Sequence, residues 1–358
     1  MIILKFVLES TKAIGDSIIA IAVLSEAVSQ GYKAGIITSP LAYPLLKNLD
    51  LETYTSWKEV PYTGTKVPLD HRYLNHLPHV RNLPNKSRKG WLGEWMAVDV
   101  QDASDGEIMI SPKRNDMKIC LTSDEIAEAY DEKRSISSKY MNKPVTNLVI
   151  TTSSINKNIP RNTLENVIAK LSDETIFCMS EPLGVSDEDR QFYKDLGVII
   201  LDEKGLRGAV GRLHVADAVV TADTWTLHGA IASRGTGTQF SLKKMGYIPT
   251  NKQVIAVLGS SHPQVVAGYE GMKTITTNFP CSGCGAHAYD LLQLLEDKTG
   301  VKYHDLGDGS GCVHKCAVDS KVPPCMKHIK VKNITSAIEH AFKYGKASAK
   351  PLNLIKKV

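Results

Sequence analysis

A chain of 358 residues is longer than one ordinary hydrophobic core supports, so we expect two domains with a cleft between them. Its composition, 42% hydrophobic and 23% charged, excludes a disordered or fibrous chain. The net charge of +5 favours anionic ligands such as nucleotides, but it is too small to indicate a dedicated DNA-binding domain.

We expect no targeting segment at the start of the chain. No apolar run approaches the ~18 residues of a transmembrane helix. The first apolar stretch is short and lacks a basic lead-in, so we interpret residues 2–8 as a buried strand rather than a secretory signal. We therefore expect a cytoplasmic protein.

The N-terminal part follows the order of a βαβ unit. A Gly-Asp turn comes after the first strand, then a helix over residues 17–30, a strand from Lys33 and a helix over 41–49. This order predicts a parallel sheet. Residues 52–115 are weakly patterned, with basic and aromatic residues interleaved, and are a candidate region for an acceptor-side loop.

A second α/β series follows a charged helix over 123–135 and a polar linker near 136–145. Its predicted strands cover 147–152, 175–179, 197–201, 218–222 and 253–259, and its predicted helices cover 163–171, 187–195, 205–214 and 226–232. The sequence thus predicts a domain over 1–143, a second over 144–345 and a basic tail over 346–358.

The first candidate site is the turn formed by Gly15, Asp16 and Ser17. Parallel sheets bind ligands at the carboxyl ends of their strands, and glycine lets a substrate approach the backbone closely. The carboxylate of Asp16 can accept the proton of an attacking hydroxyl, as a general base does. The alternative is that Asp16 and Ser17 only cap the helix.

Two further candidate sites follow strands of the second series. Small hydroxyl residues including Ser153, together with Lys157 and Arg161, form either a phosphate cradle or a solvated basic loop. Asp223 and Thr224 open a helix with donors suited to a phosphate, and His228 lies one turn beyond them. His228 is otherwise a core histidine. The complete predicted donor-binding set is Lys157, Arg161, Asp223, Thr224, His228, Ser153 and Glu181.

The fourth candidate site is a cluster of cysteines in the C-terminal part. The preferred ligands are Cys281, Cys284, Cys316 and Cys325, with Cys312 or His314 as alternates. Thiolates and imidazole at such spacings favour a tetrahedral zinc or iron site, and a filled site of this kind is structural. Free buried thiols are the alternative.

In chain order, these motifs resemble those of glycosyltransferase family 9, the ADP-heptose:lipopolysaccharide heptosyltransferases and their relatives. Ile14-Gly-Asp-Ser17 is similar to the family's Gly-Asp turn, and the resemblance implies that Asp16 is the catalytic base. Lys157-Asn-Ile-Pro-Arg161 is similar to its Lys-x-Trp-Pro turn, whose lysine contacts the donor diphosphate. The resemblance implies a GT-B fold: two facing Rossmann-like domains with parallel sheets, here with a C-terminal Cys-rich knuckle.

The segment from Asp223 to His228 resembles the family's Asp-Thr-Gly-x-x-His motif, which contacts the donor phosphate and sugar. Trp225 replaces its glycine, so we expect a reshaped sugar pocket. Leu258-Gly-Ser-Ser-His-Pro263 resembles the Phe-Gly-x-Thr-x-Pro loop, and the cysteines resemble the family's C-terminal set. Insertions over 233–251 and 286–310 depart from the family.

The resemblance implies an inverting transfer from a nucleotide-sugar donor, with an ADP-sugar favoured over UDP- or GDP-sugars, and no metal or other cofactor in the chemistry. The acceptor is a saccharide, a protein or a modified DNA base. The rival interpretation is a zinc-stapled protein that binds nucleotide or nucleic acid without turnover. A Rossmann dehydrogenase is disfavoured because no G-x-G-x-x-G follows the first strand.

Overall fold

The computed structural model describes residues 5–10, 14–61, 65–68, 91–148, 158–180, 186–234, 253–259, 268–277 and 324–348. The helices are α1 (Ile14–Ser29), α2 (Leu92–Ala103), α3 (Ser123–Lys139), α4 (Arg161–Leu171), α5 (Asp187–Asp195), α6 (Gly205–Val215), α7 (Trp225–Ala232), α8 (Pro324–Lys327) and α9 (Val331–Ser348). The strands are β1 (Lys5–Ser10), β2 (Lys33–Thr38), β3 (Glu52–Tyr54), β4 (Thr65–Pro68), β5 (Val145–Leu148), β6 (Ile176–Ser180), β7 (Ile199–Leu201), β8 (Ala218–Thr221), β9 (Gln253–Val257) and β10 (Met272–Ile275).

These strands form two sheets, and every described pairing is parallel. The first sheet has the order β3-β2-β1-β4, and the second has the order β10-β9-β8-β5-β6-β7. Because parallel strands are covered by helices on both faces, their sequences are nearly continuous apolar runs, as in β8 and β9. The predicted α/β class with parallel sheets is confirmed.

Local sequence explains where several helices begin. Thr122 and Glu125 form a capping box before α3, in which each side chain accepts a hydrogen bond from the other residue's backbone N–H. Ser186 caps α5 by accepting from the N–H of Asp189 at 3.1 Å. These caps satisfy amide donors that the first turn of a helix leaves unpaired.

The middle of helix α1 is buried on all sides. Every residue from Ile18 to Leu24 is 0% exposed, because α1 lies between the first sheet and α7 of the second half. One hydrophobic core therefore joins β1 of the first sheet, through Phe6 and Leu8, to β8 of the second, through Val219. The two sheets are packed together through the pair formed by α1 and α7.

A second connection between the halves joins α3 to α6. Arg207 of α6 donates two hydrogen bonds to the carboxylate of Glu125, and its guanidinium also reaches the backbone carbonyls of Cys120 and Pro44. One turn later Arg212 is paired with both carboxylate oxygens of Glu132. The two arginines hold α6 against the segments that follow the first sheet.

Several predicted boundaries differ from the structure. The helix predicted over 41–49 is wrong: the structure has only a 3-10 helix over Tyr43–Leu46, where Pro44 supplies no amide donor and Asn48 has a left-handed φ of 68°. The helix after the first strand begins at Ile14 rather than at residue 17, and α3 continues to Lys139, into the predicted linker.

The weakly patterned region contains regular structure that the sequence analysis missed. Within its described residues, the segment 52–115 holds β3, β4 and α2 rather than a loop alone. Helix α9 extends to Ser348, past the predicted start of the tail, and the strand β10 was not predicted.

Candidate active site

The N-termini of α1 and α7 meet at one point. A Cβ atom placed on Gly15 would lie 3.1 Å from Cδ2 of His228 and 3.6 Å from Cα of Trp225. Both helices follow the carboxyl end of a strand, β1 and β8 respectively, which is where parallel sheets bind ligands. Helix N-termini carry partial positive charge, so two of them at one point form a site that attracts an anion.

Asp16 lies in the first turn of α1 and is half-buried. A carboxylate at this position interacts favourably with the helix dipole. Because the helix starts at Ile14, Asp16 is inside the first turn and is not the N-cap residue that the alternative interpretation required. The neighbouring Ser17 is buried, and its hydroxyl is hydrogen-bonded at 2.8 Å to that of Thr38 at the end of β2. Ser17 thus ties α1 to the sheet.

Thr224 is the N-cap of α7. Its hydroxyl oxygen accepts a hydrogen bond from the N–H of Thr226 at 3.3 Å. The hydroxyl of Thr226 is in turn hydrogen-bonded to that of Thr224 and, at 2.8 Å, to that of Thr221 on β8. This ladder of three hydroxyls fixes the first turn of α7 at the edge of the sheet, so that its backbone amides face the meeting point with α1.

Asp223 and His228 are both buried beside this turn. The side chain of Asp223 is 6% exposed and that of His228 is 5% exposed. Nε2 of His228 lies 3.7 Å from Oδ1 of Asp223. That separation is longer than a hydrogen bond. The other ring nitrogen of His228, Nδ1, lies 3.0 Å from the hydroxyl of Tyr269. The structure therefore brings Gly15, Asp223 and His228 together, and the donor-binding role of Asp223 and His228 stays a prediction.

Two residues of this cluster were missed by the sequence analysis, Trp91 and Tyr269. Nε1 of Trp91 donates to the hydroxyl of Tyr269 at 3.0 Å, and both side chains are buried. Burial raises the pKa of Tyr269, so its hydroxyl stays protonated. The sequence signals that could have indicated these two residues are the glycines beside them. Gly93 lies directly under the Trp91 ring, and Gly268 and Gly271 flank Tyr269 with φ values of 88° and 65°.

The ring of Trp225 packs along its own helix. Its Cε3 and Cζ3 atoms lie 3.4 Å from the position of a Cβ on Gly229, one turn later. The side chain is half-buried against the shared core. The first residue of α7 is therefore a large ring beside the meeting point of the two helices.

Arg161 is placed at the first turn of α4. In the described part of the chain, its guanidinium lies 3.5 Å from the ring centroid of Phe192 and 3.5–3.6 Å from carboxylate oxygens of Glu188 and Asp189 on α5. It also lines a surface pocket of about 540 Å³ together with Lys327. These contacts connect Arg161 to α5 and α8 rather than to α1 or α7.

Several predicted site residues lie outside the described residues: Ser153, Lys157, Glu181, Cys281, Cys284, Cys312, His314 and Cys316. Cys325 belongs to α8, but its side chain is not described, and most of the loop 258–263 and of the insertions 233–251 and 286–310 is also outside. The described residues hold no group of three or more His, Cys, Asp or Glu suited to a metal ion. Among the described helices, none has the length and apolarity needed to cross a membrane.

Comparison by sequence finds no matching family model and no significantly similar curated protein. Comparison of structures does find relatives. A glycosyl transferase family 9 protein from Veillonella parvula matches with a TM-score of 0.59 at 10% identity, over 96% of this chain and 99% of that one. The chain has the GT-B fold.

Two E. coli proteins share this GT-B fold. ADP-heptose lipopolysaccharide heptosyltransferase II matches with a TM-score of 0.55 at 12% identity, over 96% of this chain and all of that one. The iron-containing dodecameric glycosyltransferase TibC matches with a TM-score of 0.57 at 13% identity, over 96% of this chain and 78% of that one. The resemblance to glycosyltransferase family 9 that the motifs predicted is confirmed at the level of the fold.

Proposed function

We propose that this chain is an inverting glycosyltransferase, which moves a sugar from a nucleotide-sugar to a hydroxyl group. The observation that carries the proposal is the meeting of two helix N-termini at Gly15, with a carboxylate in the first turn of α1 and the Asp223–His228 turn on the other side. Anion-binding donors and a potential base thus lie on opposite sides of one point.

The donor diphosphate is assigned to the side of α7. The backbone amides of its first turn, the hydroxyl of Thr224 and the ring of His228 are suited to phosphate and sugar oxygens. The remaining members of the proposed donor set are Lys157, Arg161, Ser153, Asp223 and Glu181. The TibC enzyme has been crystallised with ADP-D-β-D-heptose, which favours an ADP-sugar here over a UDP- or GDP-sugar.

Asp16 acts as the general base in this proposal. Its carboxylate accepts the proton of the acceptor hydroxyl while the oxygen attacks the anomeric carbon from the face opposite the diphosphate. The bond from the anomeric carbon to the diphosphate oxygen breaks, and its electron pair leaves with the nucleotide, so the anomeric configuration inverts. The positive ends of α1 and α7 stabilise the charge that develops on the leaving group.

The Cys-rich segment is proposed as a structural metal site that takes no part in this chemistry. Thiolates of Cys281, Cys284, Cys316 and Cys325 form a soft donor set that suits zinc or iron, and the TibC relative contains iron. Elemental analysis of the purified chain should find about one zinc or iron atom per chain. Cys284→Ser should lose the metal, whereas Cys120→Ser, a free half-buried cysteine, should keep it.

Asp16→Asn tests the proposed function directly. The substitution keeps the shape of the side chain and removes the base, so transfer should fall by about 10²–10⁴-fold while binding of ADP is unchanged. Asp124→Asn is a matched control, because Asp124 lies in the first turn of α3 and is exposed. Transfer is measured as nucleoside diphosphate release from ADP-, UDP- and GDP-sugars in the presence of saccharide, protein or modified-DNA acceptors.

Three outcomes separate the alternatives. Transfer that depends on Asp16 supports the proposal, and full activity of Asp16→Asn contradicts the assignment of the base. Tight nucleotide or nucleic-acid binding without hydrolysis or transfer indicates the non-enzymatic binding protein instead. For nucleic acid, that binding should weaken steeply as salt is raised.

A further inference from the structure

A buried hydrogen-bonded chain runs from Trp91 through Tyr269 to His228. Nε1 of Trp91 lies 3.0 Å from the hydroxyl oxygen of Tyr269, which lies 3.0 Å from Nδ1 of His228. The three residues are 0%, 3% and 4% exposed, so water does not replace these partners. The rings of Trp91 and His228 both pack edge-on against Tyr269, with interplanar angles of 89° and 88°.

The direction of each hydrogen bond follows from the chemistry of the groups. The indole nitrogen of Trp91 is only a donor, so the oxygen of Tyr269 accepts from it. The hydroxyl of Tyr269 keeps its own proton, because burial raises its pKa. Within the described residues, Nδ1 of His228 is the acceptor that this proton reaches. Nδ1 is therefore unprotonated, and the proton of the neutral imidazole is on Nε2.

The same pairing of donors with acceptors disfavours the opposite tautomer of His228, which has its proton on Nδ1. A proton on Nδ1 would make the Tyr269 oxygen accept two hydrogen bonds and, among the described residues, would leave its own O–H without an acceptor. An imidazolium ring also carries a proton on Nδ1, so it would leave the same O–H without a described acceptor. A buried donor without a partner loses its hydration with no compensation, which is costly.

We propose that Tyr269 is a positioning residue that holds His228 as a neutral imidazole with its proton on Nε2. Nε2 lies 3.7 Å from Oδ1 of Asp223 and 3.7 Å from the position of a Cβ on Gly15, at the meeting point of α1 and α7. A neutral N–H at this place is a donor for a phosphate or sugar oxygen. This assignment of the ligand rests on the proposed function.

The position of Tyr269 is fixed by its turn. Gly268 and Gly271 adopt left-handed φ values that L residues with side chains rarely adopt. Arg234, just after α7, donates to the carbonyl of Glu270 at 2.6 Å and to that of Gly271 at 3.2 Å. The turn that carries Tyr269 is therefore anchored to the C-terminal end of the helix that carries His228.

Trp91 is held independently, from the other half of the chain. Its backbone N–H donates to the carboxylate of Glu94 at 2.9 Å, and its ring covers Gly93, where a Cβ would lie 2.3 Å from the ring. The chain of hydrogen bonds thus needs Trp91, which follows the first sheet, and also Tyr269 and His228, which belong to the half that contains the second sheet. The tautomer of His228 is set only when the two halves are packed together.

Long-range ¹H–¹⁵N correlation spectra of the ¹⁵N-histidine-labelled chain test the proposal without any substitution of the cluster. The expected result at pH 7 is a neutral ring for His228 with its proton on Nε2, identified by the signal that disappears in His228→Gln. A ring protonated on Nδ1, or on both nitrogens, overturns the proposal. Because this readout needs no ligand, it is independent of whether the chain transfers sugars.

Tyr269→Phe tests the role of the hydroxyl while it keeps the ring. We expect the His228 signal to shift toward a mixture of tautomers, and the affinity for ADP to fall about fivefold to tenfold, as one weakened hydrogen bond predicts. Tyr193→Phe is the matched control, because Tyr193 is a buried tyrosine on α5 that contacts neither Trp91 nor His228. It should change neither readout.

The outcomes distinguish this proposal from the proposed function. An unchanged tautomer and unchanged ADP affinity in a folded Tyr269→Phe protein overturn the role of Tyr269. Failure of ADP, UDP and GDP to bind the wild-type chain contradicts the proposed function, and the spectrum of His228 still decides the tautomer. If Tyr269→Phe does not fold, the wild-type spectrum alone supports or overturns the proposal.

Discussion

Gly15 is a residue at which the two halves of the candidate site are in close contact. A Cβ atom placed on Gly15 would lie 3.1 Å from Cδ2 of His228. The histidine ring has little freedom to move, since its Nδ1 is hydrogen-bonded to Tyr269 and it is 4% exposed. Glycine is therefore required at position 15 by close packing rather than by an unusual φ angle.

Gly15→Ala should lower the free energy of unfolding by about 1–2 kcal/mol, because overpacking against His228 outweighs the gain in helix propensity. It should also weaken nucleotide binding, since the added methyl group displaces the ring of His228. Urea unfolding and titration with ADP measure the two effects.

Gly229→Ala is the control for this prediction. A Cβ there meets Trp225 at 3.4 Å and Val210 at 3.6 Å, which are ordinary contacts, so stability should change by less than about 1 kcal/mol. Equal stability and equal ADP affinity of the two alanine variants would show that position 15 tolerates a side chain.

Among the helices, the pair α3 and α6 depends on buried arginines. The Nη2 atom of Arg207 donates to Glu125 at 2.6 Å and to the carbonyl of Cys120 at 2.7 Å, and the side chains of Arg207 and Glu125 are only 12% and 29% exposed. Hydrogen bonds from Arg207 hold the pKa of Glu125 below its ordinary value of 4.5. The folded state thus favours the ionised carboxylate.

Arg207→Gln should lower the free energy of unfolding by about 2–4 kcal/mol at pH 7, because it leaves Glu125 without its charged partner. A carboxyl group whose pKa is lowered by folding stabilises the protein above its unfolded-state pKa, and this contribution is lost as the pH falls through the lower folded-state value. The difference between wild type and variant should therefore shrink below pH 4.5, which urea unfolding at pH 7 and at lower pH measures.

Arg134→Gln serves as the comparison on α3 itself. Arg134 is paired with Asp131 at 2.8 Å, but its side chain is 77% exposed, so its loss should cost less than about 0.5 kcal/mol at either pH. A pH-independent loss in Arg207→Gln would contradict the role assigned to Glu125.

At the scale of the whole molecule, the two sheets share one hydrophobic core through α1 and α7. Residues 18–24 of helix α1 are all apolar and fully buried, so neither half can be separated from the other without exposing them to water. The GT-B fold is here a pair of sheets with a continuous packed connection through α1 and α7.

The described core should therefore unfold as one cooperative unit. Ile19→Ala, on α1, should cost about 2–5 kcal/mol and should accelerate amide hydrogen exchange in β1 and in β8 together. Val28→Ala, at a 37% exposed position of the same helix, should cost less than about 1 kcal/mol. Faster exchange confined to the first sheet would show that the halves open separately.

Sequence pattern predicted the second α/β series well. The helices α4 to α7 begin and end within about two residues of their predicted positions, because apolar spacing and caps such as Ser186 mark them locally. The pattern failed for α2, which follows a basic and aromatic segment, and for α9, where apolar residues at helical spacing stand among basic and aromatic ones. The apolar positions of α9, including Ile334, Ile338 and Ala341, are buried, although the surrounding lysines are typical of a tail.

The sequence by itself determined the parallel α/β class and predicted the chemical groups of the candidate site, since Asp16, Asp223 and His228 follow strands that are recognisable from local pattern. Tertiary structure alone decided that Gly15 contacts His228 and that Trp91 donates to Tyr269, 178 residues later in the chain. Local periodicity encodes which face of each helix is apolar, but it does not encode which apolar faces meet. The packing of α1 against α7 decides which apolar faces meet. The contact of Trp91 with Tyr269 between the two halves sets the tautomer that we propose for His228.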